Sequence, residues 1–216
     1  MSENATLVTA QHFDYIAERT VDEDDFLKDL KEAARQAEIP AIWIEPAQAS
    51  LLQILLRLRQ AHDVVEVGTL AGYSAIVMAR ALPADGKLRT IELLDKHADF
   101  AEEWISRSDV ADRVEVHRGP GADVLSTFAD ASADAAFLDA DKVGYPVYLE
   151  QCMRILRPGG LMMVDNAFAF GQLFDEVPTD PEVNAVRAFN DVMAKQSALQ
   201  SIIVPMGDGC WVGVKV

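Results

Sequence analysis

Glycines and polar residues follow an apolar run within residues 64–74, which read Val-Val-Glu-Val-Gly-Thr-Leu-Ala-Gly-Tyr-Ser. Gly68 and Gly72 suit a sharp turn in which the backbone approaches a ligand closely. A helical pattern begins directly afterwards, and the first turn of a helix offers N–H groups to polar ligand atoms. The segment predicts a nucleotide-type cofactor site, with Glu66 and Ser74 as nearby polar groups. A dinucleotide is disfavoured, because the tight Gly-x-Gly start is missing.

Three oxygen-bearing side chains follow two later apolar runs: Asp139 follows one, and Asp165 with Asn166 follows the next. Such ligands suit a hard cation, Mg²⁺ or Ca²⁺, and do not suit zinc. Each acidic residue alone could instead cap the following helix or turn. Two acidic strand ends beside an amide favour a shared cation site.

Two further charged residues accompany these motifs. Glu92 ends the second strand-like run, where a carboxylate meets the ribose hydroxyls of a nucleotide; the alternative is a solvated loop carboxylate. Lys142 follows Asp139 by three residues and could accept a proton at the same site. Its alternative is a surface ion pair with Asp141, which would contribute little.

Aromatic residues could form a wall of the site. Phe168 and Phe170 could be either core or substrate wall, whereas Trp43 is expected in the core by default. The four histidines form no spaced cluster, so no chemistry is assigned to them.

Strand-like runs alternate with helical patterns, which predicts a parallel sheet covered by helices on both faces. Two N-terminal helices are expected first, one with Asp22 as its N-cap and one with Pro46 in its first turn. The final two strand-like runs are joined by a turn at 206–209, so one antiparallel strand should close the sheet. Ligands bind beyond the carboxyl ends of such strands. The predicted helices are 22–38, 46–61, 74–81, 96–107, 122–128, 148–156 and 181–196, and the predicted strands are 64–67, 87–92, 114–117, 135–139, 161–164, 201–204 and 211–214.

Composition restricts the class of protein. The 216 residues are 50% hydrophobic, enough for one domain with a sizeable core, and no run is apolar enough to span a bilayer. Two cysteines are no disulfide framework and the N-terminus resembles no signal peptide, so a cytoplasmic protein is expected. The net charge of −16 disfavours nucleic acid and anionic membranes as partners.

Taken together, these motifs resemble the cation-dependent O-methyltransferases of the catechol and caffeoyl-CoA type, within the class I S-adenosylmethionine-dependent methyltransferases. The resemblance extends from the N-terminal helices to 207–209. Its most specific segments, apart from 66–74, are Phe-Leu-Asp-Ala-Asp-Lys at 137–142, Leu-Arg-Pro-Gly-Gly at 156–160 and Val-Asp-Asn at 164–166. Several motifs in this order are a strong signal, although each alone is weak.

The resemblance implies a Rossmann-like, doubly wound sheet of seven strands with a reversed last strand, preceded by N-terminal helices at 1–61. It implies that Asp139, Asp165 and Asn166 hold Mg²⁺, with Ca²⁺ or Mn²⁺ as alternatives, and that Lys142 is the general base. It also implies a homodimer. The residues it places against S-adenosylmethionine are Ile44, Glu66, Gly68, Thr69, Ser74, Glu92, Gly121 and Asp139.

The function expected from this resemblance is methylation of one hydroxyl of a small catechol or other vicinal diol. Departures at Ala49, Gly121, Ala169 and Phe170, where relatives often have other residues, put the familiar acceptors in question. Two alternatives stay open: O-methylation of a hydroxyuridine in tRNA, and a non-catalytic, cofactor-binding dimeric protein.

Overall fold

A seven-stranded sheet forms the centre of the computed structural model, which describes residues 8–216. The spatial order is β3-β2-β1-β4-β5-β7-β6, and β7 runs antiparallel to both of its neighbours. The predicted α/β architecture with a reversed last strand is confirmed. The strands are β1 (Asp63–Val67), β2 (Lys87–Glu92), β3 (Val114–Arg118), β4 (Ala133–Leu138), β5 (Leu156–Val164), β6 (Leu199–Val204) and β7 (Cys210–Lys215).

Helices cover both faces of this sheet. Neighbouring residues of one strand belong to different hydrophobic clusters: Val64 packs on one side of the sheet and Val65 on the other. This two-sided burial explains why the parallel strands are continuous apolar runs. The helices are α1 (Ala10–Ala17), α2 (Asp25–Gln36), α3 (Pro46–Arg59), α4 (Tyr73–Ala79), α5 (Asp95–Ser106), α6 (Gly121–Thr127), α7 (Tyr145–Ile155) and α8 (Val183–Lys195).

The register brings the ends of the central strands to one edge. Val67 pairs with Leu138, and Leu138 pairs with Val164. The hydrogen bonds continue one residue further, because Asp139 N–H donates to the Val67 carbonyl at 2.9 Å and Asp165 N–H donates to the Leu138 carbonyl at 3.0 Å. The polar residues that follow β1, β4 and β5 therefore lie at the same edge.

The N-terminal helices differ in detail from the prediction. Asp24, and not Asp22, is the N-cap of α2, since its carboxylate accepts the Leu27 N–H at 3.0 Å. Asp22 instead accepts a bond from Lys28 at 2.7 Å. Helix α1 was not predicted, and none of its residues is fully buried, although Phe13 and Ile16 are half-buried.

Two further observations concern the chain as a whole. Cys152 and Cys210 are both buried and free, which agrees with the absence of a disulfide framework. Within residues 8–216, no helix has the length and apolar character needed to cross a membrane.

Candidate active site

A cavity of about 740 Å³ opens at the carboxyl edge of the sheet. Lys142 and Asn166 line it, whereas Asp165 lies behind the wall and is 6% exposed. Glu66 is also behind the wall and is fully buried. The remaining predicted cofactor residues all line the cavity, namely Ile44, Gly68, Thr69, Ser74, Glu92, Gly121 and Asp139.

The glycine-rich turn after β1 is in close contact with the turn after β4. Gly68 has a φ of +100°, and a Cβ atom at this position would lie 1.9 Å from the Asp139 carbonyl oxygen. Gly72 precedes α4 in the left-handed region, with a φ of +84°. Gly68 therefore packs against the turn after β4 and also forms part of the cavity wall.

Glu92 holds the glycine-rich turn in place. Its Oε2 accepts the N–H groups of Leu70 at 2.8 Å and Thr69 at 3.3 Å, and its Oε1 accepts the Leu94 N–H at 2.9 Å. The side chain is 7% exposed, so the alternative of a solvated carboxylate is wrong. Contact with a ribose stays a prediction for this residue.

Glu66 is a carboxyl group without full hydrogen bonding. The Ser74 hydroxyl donates to Oε1 at 2.5 Å, while Oε2 has no partner among residues 8–216. Burial raises the pKa of Glu66 to about 8, since an ionised carboxylate is poorly solvated there. The group is consequently protonated at neutral pH in the cofactor-free protein.

Glu66→Gln should change how stability depends on pH. The native carboxyl keeps its proton up to about pH 8, whereas in the unfolded chain it loses the proton near its ordinary value of 4.5. Unfolding then releases a proton. As the pH rises between these two values, the free energy of unfolding of the wild type therefore falls relative to that of Glu66→Gln, by up to about 1.4 kcal/mol per pH unit. Urea denaturation of cofactor-free protein from pH 5 to 8 measures this, with Glu150→Gln on exposed α7 surface as the control. Parallel curves for wild type and Glu66→Gln would contradict the expectation.

The candidate cation ligands meet at the end of β4 and β5. Oδ1 of Asp165 accepts the Gln48 side-chain amide at 2.7 Å and the Asn166 N–H at 2.8 Å. Burial, together with the negative charge of Asp139, raises the pKa of Asp165 to about 7. Neither aspartate is a helix N-cap, since Gly144 precedes α7 and Glu182 precedes α8. Within residues 8–216 no three His, Cys, Asp or Glu side chains form a metal-binding group.

Lys142 is buried beside these ligands, with 5% of its surface exposed. Its Nζ donates to Oδ1 of Asp139 at 3.1 Å and to the Tyr145 hydroxyl at 2.8 Å. The alternative of a surface ion pair with Asp141 is wrong, because that carboxylate accepts the Tyr148 hydroxyl at 2.6 Å and the Gly144 N–H at 2.8 Å. The geometry places an amine at the cavity wall, in contact with a candidate cation ligand.

Aromatic residues form part of the wall. Phe170 lines the cavity, while Phe168 packs against Gly209 in the turn between β6 and β7. Trp43 also lines the cavity, so its default assignment to the core is incomplete. It lies 5.5 Å from the Nζ of Lys31, which forms a largely buried ion pair with Glu23. The Nζ of Lys31 also lies 4.2 Å from the centre of the Tyr73 ring, so this lysine of α2 contacts two aromatic residues of the wall.

Sequence reasoning missed several contributors to the site. Gln48 contacts the candidate ligand Asp165 across 117 residues, and Tyr145 contacts the candidate base Lys142 in the interior. His97 lines the cavity, with its Nδ1 3.7 Å from Glu92. Tyr148 explains one departure from the expected motif. A Cβ at Gly121 would lie 2.9 Å from the Tyr148 ring, so alanine would require the ring to move.

Comparison with protein families decides the class of this chain. A family model described as O-methyltransferase matches residues 17–216. The chain belongs to this O-methyltransferase family. The prediction of an O-methyltransferase made from the motifs is therefore confirmed.

Individual relatives of this O-methyltransferase cover almost its whole length. A catechol O-methyltransferase from Niastella koreensis is 39% identical over 204 residues, which are 93% of this chain and 90% of the relative. The O-methyltransferase TomG from Streptomyces achromogenes, involved in tomaymycin synthesis and solved in complex with SAM, is 34% identical with a TM-score of 0.83. The match covers 95% of this chain and 96% of TomG. An O-methyltransferase from Bacillus cereus, solved in complex with SAH, is 30% identical with a TM-score of 0.85, and the match covers 95% and 97% of the two chains.

Proposed function

We propose that this enzyme transfers a methyl group from S-adenosylmethionine to one hydroxyl of a small catechol or other vicinal diol, with a divalent cation as cofactor. The observation that carries this proposal is the position of Lys142, whose amine lies 3.1 Å from Asp139 at the wall of the cavity that Asn166 also lines. The 39% identity to a catechol O-methyltransferase supports the acceptor class. The 34% identity to a protein solved with SAM supports the methyl donor.

The residues around the glycine-rich turn fit the donor. Ser74 lines the cavity, and the buried carboxyl of Glu66 holds its hydroxyl in position through the 2.5 Å hydrogen bond. Gly119 and Gly121, in the loop after β3, also line the cavity and would border the base of the donor. Ile44 adds apolar surface on the opposite segment, before α3.

The carboxyl end of β4 and β5 fits a divalent cation. Oδ1 of Asp165 is occupied by two N–H donors, while no hydrogen bond to its Oδ2 is formed by residues 8–216. Burial and, after it, the negative charge of Asp139 raise the pKa of Asp165, and a cation between the two carboxylates would offset both effects. Asn166 would supply a third, neutral oxygen. Such an all-oxygen set suits Mg²⁺, with Ca²⁺ or Mn²⁺ as alternatives.

Each partner then has a defined role. When bound, the donor would supply an electrophilic methyl group, and a cation held by Asp139, Asp165 and Asn166 would lower the pKa of a hydroxyl beside it. Lys142 accepts the hydroxyl proton, and Tyr145 holds the amine of Lys142 in position through the 2.8 Å contact. Phe170 and Trp43 cover the flat face of the acceptor and exclude water, which aligns the hydroxyl with the methyl group.

Removal of divalent cations tests this proposal. Methyl transfer from labelled S-adenosylmethionine to a panel of catechols should fall by at least about 100-fold in EDTA and return when Mg²⁺ is added back. Asp165→Asn should require much more Mg²⁺ for half-maximal rate, whereas Asp141→Asn, which changes a neighbouring carboxylate outside the ligand set, should not. Full activity in EDTA would contradict the cation requirement, and no transfer to any diol would contradict the acceptor class.

The charge of the chain bears on the alternative acceptor, tRNA. A net charge of −16 gives no favourable electrostatic approach for tRNA, so a small acceptor is proposed in preference to nucleic acid. A homodimer in the cytoplasm stays a prediction from the resemblance.

A further inference from the structure

Asp208 lies in the turn between β6 and β7, and its carboxylate receives three N–H groups from one distant loop. Its Oδ2 accepts the Phe170 N–H at 2.8 Å and the Asn166 side-chain amide at 3.1 Å. Its Oδ1 accepts the Gly171 N–H at 3.2 Å, and its backbone carbonyl accepts the Phe168 N–H at 2.8 Å. The loop at 166–171 is thus held mainly by a single residue of the turn.

The backbone of this loop is unusual. Asn166, Ala169 and Phe170 have φ values of +63°, +54° and +59°, in the left-handed region that disfavours residues with a Cβ atom. Such conformations persist when surrounding contacts over-determine them. The bond from the Phe170 N–H to Asp208 is a contact of this kind, since it holds the backbone of a bulky residue in this region.

The bond to Asn166 also decides which way its amide points. A carboxylate can only accept hydrogen bonds, so the amide must turn its nitrogen towards Asp208. Its oxygen is then the atom left for another partner. Asn166 lines the cavity, and oxygen is the donor atom that a hard cation requires.

We propose that Asp208 is a positioning residue that sets the amide oxygen of Asn166 for the cation and the Phe170 ring for the acceptor. This inference rests on the proposed function. The turn between β6 and β7 contains no candidate cation ligand, but by this proposal it influences cation affinity through Asn166. The hydrogen bonds of the Asp208 carboxylate go to Asn166, Phe170 and Gly171 and to none of the predicted donor-binding residues, so donor binding should be unaffected.

Mn²⁺ affinity of the whole protein, measured by electron paramagnetic resonance without turnover, tests this proposal. Asp208→Asn should weaken Mn²⁺ binding about 10- to 100-fold, the range found when partners of metal ligands are removed. Asp208→Glu retains the negative charge but displaces both oxygens, so it should weaken binding similarly. The affinity for S-adenosylhomocysteine, measured by calorimetry, should change less than about twofold in both variants.

Asp134 provides a matched control. Its carboxylate also accepts two backbone N–H groups and one side-chain N–H, from His62 at 2.9 Å, Asp63 at 3.0 Å and Arg157 at 2.7 Å, but it lies at the opposite end of the sheet. Asp134→Asn should lower the melting temperature while leaving Mn²⁺ affinity unchanged. Wild-type affinity in Asp208→Glu would overturn the proposal and leave only a charge effect.

Hydrogen exchange separates this inference from the proposed function. The amides of Phe170 and Gly171 should lose protection in Asp208→Asn and keep it in Asp134→Asn, whether or not a cation is present. Unchanged protection in Asp208→Asn would overturn the positioning role. A wild-type protein that binds no Mn²⁺ would overturn the cation requirement and the cation part of this inference, while exchange would still decide whether Asp208 holds the loop.

Discussion

Lys142→Ala is expected to lower kcat for methyl transfer by about 10²- to 10⁴-fold, the usual contribution of a general base. The Lys142 amine is buried and contacts both Asp139 and the Tyr145 hydroxyl. Replacement by alanine removes the proposed proton acceptor without removing any of the three candidate cation ligands. Single-turnover rates with saturating donor, Mg²⁺ and catechol measure the chemical step directly.

Lys142→Arg distinguishes a base from a structural ion pair. An arginine keeps the positive charge beside Asp139 but does not give up its proton, so it cannot act as a base. Both variants should therefore be slow, with donor affinity close to wild type. Wild-type kcat in Lys142→Arg would mean that the lysine only neutralises Asp139, and the proposed base would have to be abandoned.

Gly68→Ala is expected to destabilise the protein by about 3–5 kcal/mol, since a strained backbone and a severe clash add together. The φ of +100° is unfavourable for alanine, and the new Cβ would meet the Asp139 carbonyl oxygen at 1.9 Å. The position of the Cβ atom is fixed by the backbone of residue 68, and the atom that it meets belongs to the backbone of Asp139, so no side-chain rotation can relieve the clash. Urea denaturation measures the loss, and donor affinity should fall with it because Gly68 lines the cavity.

Gly159→Ala separates the two causes. Gly159 also has a positive φ, of +74°, but a Cβ there would have no described atom within 4 Å. Only the backbone strain then applies, and we expect a loss of about 1–2 kcal/mol. Equal losses in Gly68→Ala and Gly159→Ala would show that the contact with Asp139 adapts at little cost.

The sheet and most of the cavity could be predicted from the sequence because both depend on local patterns. Continuous apolar runs predict buried parallel strands, and residues that follow such runs must lie at the carboxyl edge. This reasoning predicted that Gly68, Glu92, Asp139 and Asn166 lie at one edge, and all four line the same cavity. It did not predict α1, a helix of eight residues of which none is fully buried.

Contacts between distant side chains could not be predicted in this way. Gln48 reaches Asp165 across 117 residues, and Asp208 reaches Asn166 across 42. Neither contact changes the hydrophobic period around the residues involved, so neither leaves a local signal. The partner of Lys142 could not be predicted either. Asp139 and Asp141 are both close in sequence, and the fold of the backbone decides that the lysine contacts Asp139.

The cavity wall combines two kinds of segment, which differ in how readily their sequences can change. The candidate ligands and Lys142 follow directly from strand ends, where the sheet fixes the backbone. Ile42 and Trp43, by contrast, lie between α2 and α3, and Phe170 lies in a loop outside the sheet. Connecting segments accept substitutions and insertions more readily than the elements they join. Descendants of this enzyme could therefore acquire new acceptors through changes in these loops while inheriting the reaction chemistry intact.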